Sequence, residues 1–417
     1  MSKKDNVAVV PKYRFPEFLN CLDWKKEELN KLGKVISGLT YSPQDIREEG
    51  LLVLRSSNIK DNVIDLKDTV YVRSNIKGYT LTEEKDILIC VRNGSKTLIG
   101  KNALVPKGMP LCTNGAFMIV FRANNPWFVF QLFQSKQFDK QVKADLGATI
   151  NSINSKQLKK YIFAIPQERK EQQKIADCLS SIDDLIFSEE KKLSLLNDYK
   201  KGWMQKLFPA EGKTVPEWRF PEFKDGNNWK CVEIETVGKV ITGKTPPTSN
   251  DSLWNGSIQF VTPTDIVGDK CQRLVQRTVV KTSKMKVLPK GTIMFTCIAS
   301  IGKMAISVYP CVTNQQINSI ITNKGYYNEF IYYSLFRNVN KIKSDLSNTT
   351  VPIINKTDFS KIKISVTLNE KEQEKIANFL SGIDELISSQ KEKIEKLKQH
   401  KKALMQGLFP AAEEVCK

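Results

Sequence analysis

One spacing in this chain names a chemistry outright. Gly238 to Thr245 reads GKVITGKT and satisfies G-x-x-x-x-G-K-[ST], in which loop amides cradle phosphates and the lysine reaches them. The pattern works where a buried strand enters the loop and a helix starts at the Lys-[ST] pair. Here Pro246 and Pro247 follow Thr245, and the second ring holds the residue before it extended, so no helix is expected to start at Lys244. The segment leading in, WKCVEIETVGKV, is charged and interrupted rather than apolar. The single histidine, His400, sits in the basic helical stretch KLKQHKKAL and reads as solvated. Without a second histidine, neither a histidine metal site nor a Ser-His-Asp arrangement can be assembled. Nine cysteines, an odd number with no C-x-x-C pair, read as free thiols in a reducing cytosol. Acidic residues are plentiful and no spacing singles any out, so a carboxylate nuclease site stays open beside the NTPase reading.

The formal charge of +19 suits a polyanionic partner, and 41% hydrophobic residues in 417 support two or three packed domains. The N-terminal MSKKDNVAVVPKYRF has too short an apolar run for a secretory signal and no segment approaches a membrane span, so a cytoplasmic, membrane-free protein is expected.

Compared with itself, the sequence repeats. PKYRFPEF from Pro11 recurs as PEWRFPEF from Pro216, Trp24 matches Trp229, and GKVISG from Gly33 matches GKVITG from Gly238. EQQKIADCLSSIDDLI from Glu171 matches EQEKIANFLSGIDELI from Glu372, and KLFPA from Lys206 matches GLFPA from Gly407. The chain is a tandem duplication of a unit of roughly 200 residues, alike at its ends and divergent in its middle, where islands such as Thr113-Asn114 and Thr313-Asn314 remain. In the first copy Leu39 stands where the second has Lys244. A phosphate loop cannot lose that lysine, so the glycine pattern reads as a scaffold turn.

The middles read as mixed α/β. DILICV (Asp86 to Val91), GAFMIVF (Gly115 to Phe121), GTIMFTCI (Gly291 to Ile298) and NSIIT (Asn318 to Thr322) have strand composition. Pro126 to Val142 and Tyr327 to Ile342 have helical spacing. Each unit then ends in a heptad pattern. The first seam is Ile175, Leu179, Ile182, Ile186, Leu193, Leu196, Trp203 and Leu207, with polar Glu189 and Lys200. The second is Ile376, Leu380, Ile383, Ile387, Ile394, Leu397, Leu404 and Leu408, with polar Gln390 and Lys401. Helices of roughly forty residues would be about 60 Å long. Antiparallel pairing is expected with Glu189 facing Lys401 and Lys200 facing Gln390. A shift of one heptad would put Lys200 against Ile383 and Glu189 against Ile394, and an unpaired buried charge costs several kcal/mol. The arrangement expected is a pseudo-twofold dumbbell whose C-terminus lies near its beginning.

Two variable α/β domains, each followed by a helix carrying (E/Q)-Q-x-KIA-x-x-L-S-x-I-D-x-L-I, resemble the DNA specificity subunit of a type I restriction-modification system, across essentially the whole chain. The expected division is a first target recognition domain at 1–166, a spacer helix at 167–209, a second recognition domain at 210–367, a second spacer helix at 368–411 and a tail at 412–417. The resemblance implies a non-catalytic subunit that reads one half of a bipartite, asymmetric double-stranded DNA site with each domain. Its helices would set the spacing and dock two methyltransferase subunits. S-adenosylmethionine would belong to those methyltransferase partners, ATP and magnesium to restriction/translocase subunits, and no cofactor to this chain.

Candidate DNA contacts are polar residues at loop positions near strand ends. In the first unit they are Arg55, Ser57, Asn58, Arg92, Asn93, Ser95, Lys96, Thr149 and Asn151. In the second they are Thr262, Thr264, Asp265, Ser300, Lys303, Thr349 and Thr350. A coiled-coil adaptor without DNA preference is the competing class.

Overall fold

The computed structural model describes residues 9–146, 151–283, 285–346 and 353–415. Two compact units emerge: unit 1 is Met1–Ser188 with Ile394–Lys417, and unit 2 is Glu189–Lys393. Among the described residues no helix is long and apolar enough to cross a membrane.

In unit 1 an antiparallel sheet runs in the order Gly33–Ser37, Met118–Ala123, Ile87–Cys90, Asn102–Leu104. A second sheet pairs Cys112–Asn114 parallel to Leu51–Leu54, which continues to Tyr71–Val72 and Ile46–Arg47. The continuous apolar run ILIC is explained by burial on both faces, because side chains alternate across a strand. Ile87 and Ile89 pack with the helical residues Phe128, Phe138 and Leu179. Leu88 and Cys90 pack with Leu52, Leu54 and Met118 of the two sheets.

Unit 2 repeats this plan. Its antiparallel core is Gly238–Thr242, Ile317–Thr322, Ile293–Thr296 and Met304–Ser307, with Cys271–Gln272 added at the edge. Trp254–Val261 lies between Arg277–Val279 and the parallel strand Cys311–Thr313. Ile293 and Phe295 face the helices while Met294 faces the second sheet.

The expected helix from Pro126 is broken into Pro126–Leu132 and Lys136–Asp145, whereas its counterpart Asn328–Leu346 is continuous. Polar side chains take the carbonyls at the break. The Ser135 hydroxyl donates to Leu132 O at 2.6 Å and Asn102 Nδ2 donates to Phe133 O at 3.4 Å.

The long helices are Arg169–Leu207 and Glu370–Leu408, 39 residues each. Both end just before a proline, at Phe208-Pro209 and Phe409-Pro410, which forbids continuation. In unit 1, residues 169–188 run antiparallel to 394–408, and Ile175 and Leu179 share a core with Leu404 and Leu408. In unit 2, residues 189–207 pack with 370–393, and Leu196 and Leu207 share a core with Ile376 and Ile387. Every apolar seam position is buried or half-buried.

The register differs from the expected one. Lys401 Nζ donates to both carboxylate oxygens of Asp183 at 2.6 and 2.7 Å, and Lys200 Nζ donates to Asp384 Oδ1 at 2.6 Å. Gln390 Nε2 donates to Glu189 Oε2 at 2.6 Å. This is the offset that sets Lys200 beside Ile383. The lysine is not left unpaired there, because the neighbouring Asp384 lies next to the seam within reach of the ammonium.

Each unit is closed by the same contacts. Arg14 binds Glu171 in two parallel bonds of 2.8 Å in unit 1, and Arg219 binds Glu372 at 2.6 and 2.7 Å in unit 2. Phe208 stacks on Phe330 and meets Trp229 edge-on in unit 2. In unit 1 the same place beside Trp24 and Phe128 is filled by Phe409, from the far end of the chain. Tyr13 N donates to Gly407 O at 2.8 Å as Trp218 N does to Lys206 O at 3.0 Å. Residues 412–415, expected as tail, form the short helix Ala412–Val415, whose Val415 is buried in unit 1.

Candidate nucleic-acid interface

Strands deliver the candidate residues. Leu51–Leu54 ends just before Arg55, and Ile87–Cys90 ends two residues before Arg92. The two loops are tied by Asn93 Nδ2, which donates to Ser56 Oγ at 3.1 Å, and Asn151 Nδ2 donates to Gly94 O at 3.2 Å. Arg92 is exposed, and its guanidinium lies 5.2 Å from the ring centroid of Phe117, itself 57% exposed. A flat cation on an aromatic face is a surface suited to phosphates and base edges. Ser95 and Lys96 are exposed on the same loop; Ser95 N donates to Asn93 Oδ1 and its hydroxyl bonds Thr97. Arg55 pairs with Asp68 at 2.8 Å. Asp68 is held below the usual carboxylate range by hydrogen bonds from Ser57 and by the Arg55 charge, so both side chains begin from an internal partner.

Asn58 is a correction. It is fully buried, its Oδ1 accepts from Arg55 N at 2.8 Å, and its Nδ2 donates to Asp65 O and Asp68 O. It locks the turn and cannot reach a ligand without unfolding it. Asp265 does the same in unit 2: Oδ2 accepts from Thr262 N and Oγ1, and Oδ1 accepts from Gln276 N. Thr262 is thereby held in the turn, while Thr264 is exposed beside it.

Ser300 and Lys303 lie in the equivalent of the Arg92 loop. Gly100 and Gly302 both have positive φ and close their loops onto Cys90 O and Thr296 O. Unit 1 therefore runs from 90 to 100 where unit 2 runs only from 296 to 302. Lys303 is the counterpart of Lys101, a residue the sequence did not single out; Lys303 Nζ lies 3.5 Å from Pro263 O, and Lys101 Nζ donates to Ile59 O at 2.8 Å. The bridge Arg92↔Ser152 becomes Ile298↔Ile353, and the amide acceptor Phe117 O becomes Gln316 O. So the stacked Arg92–Phe117 pair is replaced by isoleucine and glutamine. Thr149, Thr349 and Thr350 lie outside the described residues.

The phosphate-loop pattern receives a structural explanation. Gly238 begins a strand, Lys244 N donates to Thr313 O at 2.8 Å, and no helix starts there. A Cβ on Gly243 would sit 2.1 Å from Asn314 O; one on Gly38 would sit 2.0 Å from Gly115 O. Leu39 N makes the bond of Lys244 N, to Asn114 O at 2.7 Å. The glycines permit two backbones to touch, and the residue after them serves through its amide, which leucine supplies as well as lysine.

The fold is a tandem pair of α/β units, each closed by its own stretches of the two long helices. Residues 22–198 and 226–399 match the family described as the type I restriction modification DNA specificity domain. The chain belongs to that family and carries its domain twice. It is 29% identical over 405 residues to the putative type I restriction enzyme MjaX specificity subunit of Methanocaldococcus jannaschii, covering 93% of each chain. It is 25% identical over 208 residues to the type I restriction enzyme EcoKI specificity subunit of Escherichia coli, 47% of this chain and 44% of that one. Its fold matches the solved S subunit of a type I restriction-modification system from M. genitalium, with a TM-score of 0.64 at 17% identity over 96% and 99% of the two chains.

Proposed function

We propose that the chain is the non-catalytic specificity subunit of a cytoplasmic type I restriction-modification complex and reads a bipartite, asymmetric double-stranded DNA site, one half with each unit. The observation that supports this best is the contrast between clasp and loop. Arg14–Glu171 and Arg219–Glu372 repeat bond for bond, whereas the loops after the equivalent strands carry Arg92 over Phe117 in one unit and have Ile298 and Gln316 at the matching positions in the other. A repeated scaffold with unlike readers suits two unlike half-sites. Phosphate attraction comes from the basic charge, and base discrimination from loop side chains.

The faces of the long helices outside the seam dock two methyltransferase subunits. S-adenosylmethionine is carried by those subunits, and ATP with magnesium by restriction/translocase subunits. Co-expression with a cognate methyltransferase, followed by mapping of methylated bases in host DNA, tests the reading: a split motif with unlike halves is expected, and a continuous or palindromic motif refutes it. Arg92→Ala should weaken binding to the cognate duplex; unchanged affinity together with an unchanged methylated motif removes Arg92 from the interface.

A further inference from the structure

Each unit has a cleft against its own stretch of long helix, and the two differ in charge. The unit 1 cleft, about 830 Å³, is bounded by Asn62, the start of helix Lys136–Asp145 and residues 398–413. The unit 2 cleft is about 970 Å³ and contains Lys200, the repeat equivalent of Lys401 in unit 1. In unit 2 the loop at 264–276 enters the cleft, and Lys270 bonds Glu329 Oε2 at 2.8 Å and Ser381 Oγ at 2.6 Å. Four basic side chains there meet five carboxylates. In unit 1 the space is lined by Lys136, Lys140, Lys143, Lys398, Lys401 and Lys402 against two acids, Asp139 and Glu413. Asp183 neutralises Lys401, and Glu413 lies 4.0 Å from Lys140. Lys136, Lys143 and Lys402 are exposed. The duplication is its own control, since the same scaffold balances its charges in one copy and leaves a positive surplus in the other.

We propose that the unit 1 cleft holds the sugar-phosphate backbone of duplex DNA flanking the half-site that unit 1 reads. This rests on the function proposed above and adds a second contact surface to it. A concave wall of one sign focuses field on a polyanion. Lysines, compact charges without a planar fork, suit phosphates rather than base recognition. The cleft also lies within a short stretch of chain of the candidate reading loop, since Asn62 lines it. Asn62 follows Ser57 by five residues across the hairpin Ile59–Lys60/Val63–Ile64, a reach of at most about 17 Å. On a duplex rising about 3.4 Å per base step, that is at most about five steps from the bases facing Ser57.

The test uses the whole complex with its methyltransferase subunits, a cognate and a scrambled duplex, and salt between about 50 and 200 mM. Neutralising three phosphate contacts in Lys136→Gln/Lys143→Gln/Lys402→Gln should make the slope of log affinity against log salt shallower by about 2 to 3, so that the affinity lost over this range falls by about 40-fold. The cognate-to-scrambled ratio should not change, because backbone contacts carry no sequence. Glu413→Gln should act oppositely and tighten binding at low salt. An unchanged slope in the triple variant overturns the proposal; an unchanged slope with loss of methyltransferase subunits assigns the cleft to an acidic protein surface instead. Absence of cognate preference in the parent complex would refute the specificity reading, a result distinguishable from either.

Discussion

Arg219→Ala should be among the most damaging single substitutions in unit 2. The guanidinium is 7% exposed and the Glu372 carboxylate 0%. Arg219 also donates to Gly226 O at 2.9 Å and Asn227 O at 3.2 Å, so it pins the segment before Trp229 to the start of the second long helix. Removing it leaves the carboxylate buried with the Thr367 hydroxyl, which donates to Glu372 Oε2 at 2.6 Å. Breaking one side of a buried pair costs about 3 to 5 kcal/mol. For a unit of this size, each kcal/mol moves the melting temperature by about 2 to 4 °C, so a fall of about 6 to 20 °C is expected. Calorimetry on the full chain measures it, and hydrogen exchange should localise the lost protection to residues near 219–229 and 367–376. Arg219→Met with Glu372→Leu should recover much of the loss, because an apolar pair of similar volume replaces a buried ion pair at little cost. A shift worth under about 1 kcal/mol for Arg219→Ala, or a double variant no better than the single, refutes this account of how the unit is closed.

The helix register is open to crosslinking: cysteines at Ile186 and Leu397 should oxidise to a disulfide readily, and cysteines at Leu193 and Leu397 should not. Gly243→Ala and Gly38→Ala place a Cβ about 2 Å from the backbone oxygen of Asn314 or Gly115, so each should destabilise its unit by about 1 to 3 kcal/mol, whereas Lys244→Leu should be nearly neutral in thermal melts. Burial pushes the Cys297 thiol up to about 11 and the Cys311 thiol up to about 12, so at pH 8 both should resist iodoacetamide until the protein is denatured, while exposed Cys231 reacts in the native protein; early labelling of Cys311 would contradict its placement.

Much of the architecture is legible in the sequence because the duplication preserves what must touch. RFPEF and the EQ-x-KIA signature lie at opposite ends of each unit, and they meet as Arg14–Glu171 and Arg219–Glu372. LFPA recurs because Phe208 and Phe409 fill the same aromatic corner. The candidate interface is less legible. Asn58 has the composition of a contact residue and the geometry of a turn lock, and the three-dimensional partners that distinguish these come from strands far along the chain. Phe117 carries no polar signal, and Lys101, at the end of the Arg92 loop, is marked only by its counterpart Lys303. The Thr-Asn island misleads by one residue: Leu39 bonds Asn114 O while its counterpart Lys244 bonds Thr313 O, so the identical letters are not equivalent in space.

The helix register shows where such reading must fail. A heptad fixes which side chains face the seam but leaves the axial offset free, since every shift of seven keeps leucines opposite isoleucines. Comparing polar seam residues alone favours Lys200 beside Gln390, and that comparison omits Asp183 and Asp384, which follow seam positions 182 and 383. A lysine stem is long enough to lie along the seam while its ammonium reaches a carboxylate beside it. Lys200 gains more from the recognition domain of its own unit: the ammonium lies 5.3 Å from the ring centroid of Tyr333 and 5.1 Å from that of Phe336, and Tyr333 donates to Asp384 Oδ2 at 2.6 Å. In unit 1, Gln131 Nε2 donates to Asp183 Oδ2 at 2.9 Å beside Lys401. The offset is thus set by residues outside the heptad, on helices that precede each spacer in the chain. Exchanging the seam lysines for leucine should therefore preserve the offset, because the apolar pairs and the flanking domain helices still favour it, while removing Tyr333 and Gln131 together with the two aspartates should let it slip.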